Sequence, residues 1–224
     1  MSKNKNKKDF SKDNSIPEFK LITLGDSGVG KTSILKRFVN QKFDEDMIST
    51  IGFGFSSKLI TLKNGSKIKF KLVDTAGQEN FRSLNNSYLK NAEGIFFIFS
   101  HNSRKSFENI TYWIDSIKEN IQEINNFKNF PAFLIGNKSD LEHKINDEEI
   151  EDFSKENNFS GYIETSAKEN INIDKIFQEM GETLIKIYGY KKNKGNVKLT
   201  VSKIKKKENK CMKCDPMFNI YIYD

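Results

Sequence analysis

The chain has 224 residues, enough for one domain with a sizeable core and polar extensions. Its net charge of +7 comes from its ends, because residues 1–15 carry five Lys and two Asp and residues 189–224 carry ten Lys and three acidic residues. The middle of the chain is left at about −3. This argues against a basic nucleic-acid-binding domain, which would carry its positive charge on the folded core.

Other features of the sequence exclude further classes of protein. No apolar run approaches the length of a membrane span, and the N-terminus lacks the apolar stretch of a signal peptide. Ser2 stands where myristoylation requires glycine, and two cysteines are too few for a disulfide framework. We therefore expect a cytoplasmic protein with a flexible basic arm over residues 1–16, a folded domain over 17–188 and a flexible lysine-rich tail over 189–224.

Strands and helices alternate along the predicted domain. In chain order we expect a strand over 19–24, a helix over 33–41, strands over 54–62 and 67–73, an irregular helical stretch up to 91, a strand over 95–99, a helix from 104 to about 124, a strand over 130–135, a helix near 147–157, a short strand near 162–163 and a helix over 173–188. Asn64 and Gly65 predict a hairpin, so its two strands run antiparallel. The alternation predicts an α/β fold with a mostly parallel six-stranded sheet and helices on both faces.

A glycine-rich loop, residues 25–32 (Gly-Asp-Ser-Gly-Val-Gly-Lys-Thr), joins the first strand to the first helix. We call it the phosphate loop. Its glycines allow backbone N–H groups to surround phosphate oxygens, and the helix N-terminus adds further donors and partial positive charge. Lys31 can reach the β- and γ-phosphates, and Thr32 can hold Mg²⁺. The alternative is a tight turn without a ligand, but the strand–loop–helix context favours a nucleotide site.

Four further motifs follow the phosphate loop. They occupy residues 48–52, 74–79, 137–140 and 164–168. Together the five motifs resemble those of the Ras superfamily of small GTPases, most of all the Rab family, over roughly residues 18–188. The resemblance implies a P-loop GTPase (G) domain that binds GTP and GDP with Mg²⁺, hydrolyses GTP slowly and acts as a molecular switch in vesicle trafficking.

The resemblance also implies roles for individual residues. Thr50 would complete the Mg²⁺ shell that Thr32 and Asp74 begin. Gly77 would place its N–H against the γ-phosphate, and Gln78 would orient the attacking water as the catalytic residue. The implied nucleotide-binding residues are Asp26, Ser27, Gly28, Val29, Gly30, Lys31, Thr32, Ser33, Phe43, Thr50, Gly77, Asn137, Lys138, Asp140, Ser166, Ala167 and Lys168.

Guanine selection is implied by the third and fourth of these motifs. The Asp140 carboxylate only accepts hydrogen bonds, so it suits the two N–H groups of guanine, a donor pair that adenine lacks. Asn137 would brace the loop, and the Lys138 stem would lie along the base. Phe43 would cover the other side of the base, and the Ala167 N–H would meet the base oxygen.

Partners are implied by the resemblance, and the chain departs from the Rab pattern where partners bind. An exchange factor, a GTPase-activating protein and effectors would contact residues 43–55 and 77–88. Gly54 stands where Rab proteins usually have Asp, and Val73 where they have Trp. Loss of that Trp removes part of the aromatic surface that effectors contact and leaves the nucleotide chemistry unchanged. His101 replaces a usual Asp, and we expect surface or structural roles for it and for His143.

The C-terminus also departs from the family. Rab proteins usually end at or just after two cysteines that carry lipid groups, whereas ten residues follow Cys211 and Cys214 here. Lipidation, free thiols, and a metal or disulfide all remain open for this pair. The lysine run over 203–213 suits the approach to an anionic membrane. We therefore expect a cytoplasmic protein that is peripheral on the cytosolic face of an intracellular membrane.

Three alternative functions remain at this point. The first is a nucleotide-dependent binding scaffold that barely hydrolyses GTP, and the second is a Ras-like signalling GTPase. The third is a P-loop ATPase or kinase. Thr50, Asp74 and Gln78 favour a hydrolysing enzyme over the scaffold, and residues 137–140 argue against adenine nucleotides.

Overall fold

The computed structural model of the chain describes residues 16–44, 53–75, 89, 91–120 and 130–189, without the side chains of Phe53, Glu119 and Asn120. Its elements are β1 (Glu18–Leu24), α1 (Lys31–Asn40), β2 (Phe53–Thr61), β3 (Lys67–Thr75), β4 (Gly94–Ser100), α2 (Arg104–Glu108), α3 (Ile110–Asn120), β5 (Ala132–Asn137), α4 (Asp147–Glu156), β6 (Gly161–Glu164) and α5 (Ile173–Tyr188). The predicted arm and tail lie outside the described residues, apart from Ile16 and Gly189.

The strands form one six-stranded sheet in the order β2-β3-β1-β4-β5-β6. Every neighbouring pair is parallel except β2 and β3, which are antiparallel. A turn over residues 62–66 joins β2 to β3, and Gly65 in this turn has a φ of 83°. The structure therefore confirms both the predicted hairpin and the predicted parallel sheet.

Strand β4 lies between two hydrophobic cores, and this position explains why its sequence is apolar. Phe96 and Ile98 lie in the core on one face of the sheet, whereas Ile95, Phe97 and Phe99 lie in the core on the other face. Because successive side chains of a strand point to opposite faces, a strand between two cores needs an apolar residue at every position. The sheet is therefore covered on both sides, as the alternation of strands and helices predicts.

Aromatic rings fill much of the first of these cores. The rings of Phe38 on α1 and Phe177 on α5 stack at a centroid distance of 3.5 Å. Phe70 on β3 and Phe96 on β4 approach Phe177 at 5.9 and 5.3 Å in tilted and edge-on arrangements. Helices α1 and α5 therefore pack on the same face of the sheet. This packing fixes the position of the start of α1 relative to the sheet.

Most observed element boundaries lie within two residues of the predicted ones, and two differences bear on the site. The single helix expected from residue 104 to about 124 is two helices, α2 and α3, with a turn at Asn109 between them; residues 121–129 lie outside the described part of the chain. The apolar spacing of the predicted helix continues through Asn109, so the hydrophobic pattern does not show the turn. Strand β3 continues to Thr75, whose hydroxyl donates a 2.7 Å hydrogen bond to the Thr23 carbonyl in β1.

The described helices include none with both the length and the apolar character that a bilayer span requires. The longest described helix, α5, has 16 residues and carries charged residues along one side.

Candidate functional site

The predicted site residues meet at one edge of the sheet. The phosphate loop follows β1, Asp74 is the second-to-last residue of β3, and Asn137 is the last residue of β5. Residues 165–168 follow β6. Since β1, β3, β5 and β6 all run in the same direction, their carboxyl ends share this edge, which is where α/β sheets bind ligands.

Glycine is required at two positions of the phosphate loop. A Cβ on Gly25 would lie 2.0 Å from the Ile98 carbonyl oxygen, and one on Gly30 would lie 2.2 Å from Nδ2 of Asn137. Both residues also have positive φ values, 145° and 97°, which side chains rarely allow. The loop can therefore pack against β4 and β5 only because these positions lack side chains.

Lys31 is a buried cation at the start of α1. Its ammonium group donates hydrogen bonds to the carbonyl oxygens of Gly25 at 2.9 Å and Asp26 at 2.8 Å. Burial lowers the pKa of Lys31 to about 8, although the charges of Asp74 and Asp26 act in the opposite direction. An anion beside this group would offset its desolvation, so the arrangement suits a bound phosphate.

Thr32 and Asp74, the described members of the predicted magnesium set, lie together. Burial raises the pKa of Asp74, and the hydrogen bond from Thr32 and the charge of Lys31 oppose this rise. Oδ1 of Asp74 is buried and has no hydrogen-bond partner among the described residues. An unsatisfied buried carboxylate oxygen beside a hydroxyl is suited to a hard cation, which prefers oxygen ligands. These residues therefore fit Mg²⁺.

Asp26 is held by two residues that the sequence analysis did not select. Its carboxylate accepts a 2.6 Å hydrogen bond from Nδ2 of Asn109 and a 3.0 Å hydrogen bond from Nε1 of Trp113. Asn109 is the turn residue between α2 and α3. These bonds connect the phosphate loop to residues more than 80 positions away, and no local sequence signal marks them.

Replacing Trp113 with Phe should therefore loosen the phosphate loop. We expect GDP release to become faster and the free energy of unfolding to fall by about 1–3 kcal/mol, because the substitution removes a hydrogen bond to a carboxylate. GDP release can be followed with a fluorescent nucleotide. The neighbouring Tyr112→Phe, an exposed position on the same helix, is the matched control. Equal GDP release rates in the two variants would contradict this role for Trp113.

Asn137 joins the phosphate loop to the segment after β6. Its Nδ2 donates to the Val29 carbonyl oxygen at 2.8 Å. Its Oδ1 accepts from the Thr165 hydroxyl and from the Ala167 N–H, both at 3.2 Å. Asn137 is 1% exposed, so these bonds are shielded from water. One side chain thus holds three chain segments that bear predicted site residues.

Asp140 lies at the open side of this arrangement. The residue is exposed, and its Oδ1 accepts a 2.5 Å hydrogen bond from the Ser166 hydroxyl. The Ser166 hydroxyl also accepts from the N–H of Glu169 at 3.0 Å. Lys138 has a φ of 62°, a left-handed conformation that bends the chain immediately after β5. The carboxylate is therefore positioned by its neighbours and still accessible to a ligand.

Arg37 is a further residue that the sequence motifs do not mark. From α1 its Nε donates to the Ala167 carbonyl oxygen at 2.9 Å, and Nη2 donates to that of Lys168 at 2.8 Å. The guanidinium carbon also lies 5.6 Å from the centre of the Phe43 ring. Arg37 therefore brings Phe43 and residues 167–168 together, across about 130 residues of chain.

The structure places one group of predicted site residues together and leaves another group outside its described part. The residues of the phosphate loop, Ser33, Phe43, Asp74, Asn137, Lys138, Asp140 and residues 166–168 are described. The residues outside the described part are Thr50, Gly77, Gln78, Cys211 and Cys214. The assigned roles of the residues in both groups remain predictions.

A phosphate loop, a buried aspartate at the end of β3 and two polar loops after β5 and β6 define a P-loop GTPase domain. The family model described as Ras family matches residues 20–186. The chain therefore belongs to the Ras family. This confirms the resemblance and the fold class inferred from the motifs.

Several Rab proteins are similar to this chain over most of its length. Ras-related protein Rab-13 of Bos taurus is 37% identical over 199 residues, which cover 86% of this chain and 95% of the relative. Ras-related protein Rab-10 of Diplobatis ommata is 41% identical over 169 residues, covering 75% and 81%. Ras-related protein Rab-1A of Dictyostelium discoideum is 40% identical, covering 72% and 78%. The chain is thus a Rab-like small GTPase, a GTP hydrolase of vesicle trafficking.

Proteins of this family bind GTP and GDP together with Mg²⁺, and they work with regulators and effectors.

Proposed function

We propose that this chain binds guanine nucleotides across the phosphate loop, residues 137–140 and residues 166–168, and that it acts as a slowly hydrolysing switch. One observation carries the proposal: the Asn137 side chain connects the phosphate loop to Ala167 and Thr165 through three hydrogen bonds. The parts that would bind phosphate and base are therefore already assembled in the folded chain. Such preorganisation reduces the entropic cost of binding.

The phosphates would be bound at the N-terminus of α1. Backbone N–H groups of residues 27–33 are the donors, and Lys31 supplies the positive charge. Thr32 and Asp74 would hold Mg²⁺, joined by Thr50 from outside the described residues. When bound, Mg²⁺ neutralises charge on the β- and γ-phosphate oxygens.

Guanine would be recognised by Asp140 and Ala167. The exposed Asp140 carboxylate accepts hydrogen bonds from the two N–H groups on one edge of the base. The Ala167 N–H is offered to the base oxygen. Phe43 and the Lys138 stem would cover the two faces of the ring. An adenine base would leave the carboxylate without donors.

Hydrolysis should be slow in the isolated protein. Gln78 would orient the attacking water and Gly77 would contact the γ-phosphate, both from outside the described residues. The two described arginines are engaged elsewhere, Arg37 with the carbonyls of residues 167–168 and Arg104 with Glu149 at 2.6 and 2.8 Å. Turnover is then roughly 10⁻⁴–10⁻² s⁻¹, and an arginine supplied by an activating protein raises it by about 10³–10⁵-fold.

Partner proteins would contact residues 43–55 and 77–88. Phe55 on β2 supports this assignment because it is 75% exposed on a strand whose other edge has no neighbour in the described sheet. An exchange factor, a GTPase-activating protein and effectors are the expected partners. The lysine-rich tail would contact an anionic membrane, and Cys211 or Cys214 would add a lipid anchor if modified.

Replacing Gln78 with Leu should reduce GTP turnover strongly, by about tenfold or more, because the leucine cannot hydrogen-bond the attacking water. Turnover is measured on purified protein with Mg²⁺, and nucleotide preference by competition between GTP and ATP. GDP affinity of the variant is the control, and it should stay unchanged because Gln78 has no role in GDP binding.

Two outcomes would contradict the proposal. Guanine binding with no turnover in either protein would favour the scaffold function. Competition by ATP as strong as by GTP would refute the role of Asp140 and favour an ATPase.

A further inference from the structure

Two histidines outside the nucleotide site lie together with a carboxylate. His101 follows β4, His143 lies in the loop between β5 and α4, and Glu164 is the last residue of β6. One ligand atom from each of the three lies within 4.8 Å of the other two. We call these residues the His-His-Glu cluster. Its members come from three segments of the chain, so only the fold brings them together.

Gly136 allows this approach. Strand β5 lies between β4 and β6 in the sheet, and side chains on the outer two strands would normally be separated by those of the middle strand. A Cβ at Gly136 would lie 2.4 Å from Nε2 of His101 and 3.0 Å from the Tyr162 hydroxyl. The missing side chain therefore opens the space in which His101 meets residues of β6.

The distances suit ligands of one small ion. Nε2 of His101 is 3.5 Å from Oε1 of Glu164, and Nδ1 of His143 is 4.0 Å from the same oxygen. Two ligands of a tetrahedral Zn²⁺ ion lie about 3.3 Å apart when each is about 2.05 Å from the metal. The first pair is close to that value, and the second needs a shift of less than about 1 Å.

The chemistry of the cluster is that of a transition-metal site. Two imidazoles and one carboxylate form a ligand set that Zn²⁺ uses in proteins. Asp147, at the start of α4, places Oδ1 4.0 Å from Nδ1 of His143 and offers a fourth ligand. The Tyr162 hydroxyl lies 3.1 Å from Nε2 of His101 and 3.4 Å from Oε1 of Glu164. A metal on Nε2 replaces the first contact, after which the hydroxyl can orient the Glu164 carboxylate.

The His101 ring is buried by its neighbours, but not all of its hydrogen-bonding groups have partners. The residue is completely buried, and its Nδ1 has no hydrogen-bond partner among the described residues. Because Nδ1 has no partner, the position of the ring proton is not fixed there. With the proton on Nδ1, the lone pair of Nε2 is available to a metal ion.

We propose that His101, His143 and Glu164 bind a divalent transition-metal ion, of which Zn²⁺ is the best-matched example, with Asp147 as the fourth ligand. The two imidazole rings now lie nearly parallel, with centroids 4.0 Å apart and planes 17° from each other. To bind the same ion, the His143 ring must turn toward Glu164. Its side chain is 32% exposed on a loop, which leaves room for this rotation.

Binding would fasten the loop after β5 to β4 and β6. That loop contains Asp140 three residues before His143, and its Lys144 N–H already donates to the His101 carbonyl oxygen at 2.9 Å. From the sequence alone we expect only surface or structural roles for both histidines, which are 42 positions apart in the chain. The Rab pattern has Asp at position 101, so the cluster depends on a residue by which this chain departs from the family.

The test is a Zn²⁺ titration of the full-length, untagged chain with bound GDP and excess Mg²⁺, using a fluorescent chelator as competitor. Cys211→Ser and Cys214→Ser are introduced together into every protein, so that thiolates do not contribute. We expect about one Zn²⁺ per chain and at least about tenfold weaker binding in both His143→Ala and Glu164→Gln.

Glu142→Gln is the matched control, since Glu142 is an exposed acidic residue beside His143, and its Zn²⁺ affinity should equal that of the parent. Bound GDP that is retained through purification shows that each variant is folded. His143 and Glu142 both lie on an accessible loop. Absence of Zn²⁺ binding in the parent, or unchanged affinity in either His143→Ala or Glu164→Gln, would overturn the proposal. The readout is independent of GTP hydrolysis.

Discussion

Replacing Asp140 with Asn should weaken GTP and GDP binding by about 10²- to 10⁴-fold and strengthen the binding of xanthine nucleotides. Hydrogen bonds to a charged acceptor contribute about 1.5–3 kcal/mol each, and guanine directs two N–H groups at this carboxylate. The amide of Asn presents an NH₂ group, which faces the N–H groups of guanine unfavourably. Xanthine has a carbonyl oxygen where guanine has its amine, so the same NH₂ group suits it.

Affinities for guanine and xanthine nucleotides can be measured by displacement of a fluorescent GDP analogue. Asp152→Asn is the matched control, because Asp152 is an exposed aspartate on α4 that forms an ion pair with Lys155. This control should leave both affinities unchanged. An Asp140→Asn variant that keeps its full affinity for GDP would refute the proposed base contact.

Replacing Asn137 with Ala should destabilise the protein by about 2–5 kcal/mol and weaken nucleotide binding at the same time. The substitution removes three hydrogen bonds at a position that is 1% exposed. The Val29 carbonyl and the Ala167 N–H lose their partner, and buried polar groups without partners are costly. The phosphate loop and the segment after β6 are then no longer joined through this side chain.

Urea unfolding at a fixed GDP concentration measures the loss, since bound nucleotide itself contributes to stability. The matched control is Asn146→Ala, which removes the single hydrogen bond from the Glu148 N–H to an exposed cap at the start of α4. Its expected cost is about 1 kcal/mol. If Asn137→Ala costs no more than this control, the connecting role of Asn137 is wrong.

Local signals predicted most of the fold. Helix α5 has the bounds expected from its apolar spacing, Ile173–Tyr188, and the Asn64–Gly65 pair forms the expected hairpin turn. Both depend on short-range geometry, the 3.6-residue period of a helix and the positive φ that Gly65 allows. The turn at Asn109 was not predicted because the apolar spacing continues through it, and the hydrogen bond from its side chain to Asp26, 83 residues earlier, has no local signal either.

The sequence by itself determined the chemical types at the nucleotide site. The glycines and Lys31 of the phosphate loop, and the carboxylate of Asp140, predict phosphate and guanine as ligands because backbone donors, a cation and an acceptor-only group suit those surfaces. The tertiary structure decided which distant side chains support them and which other groups meet. Arg37, on the helix after β1, reaches Ala167, and His101 reaches Glu164, because the carboxyl ends of β1, β4, β5 and β6 lie at the same edge of the sheet. Contacts across 60 to 130 residues depend on the strand order, and those of His101 also on the gap at Gly136; neither is encoded in local spacing.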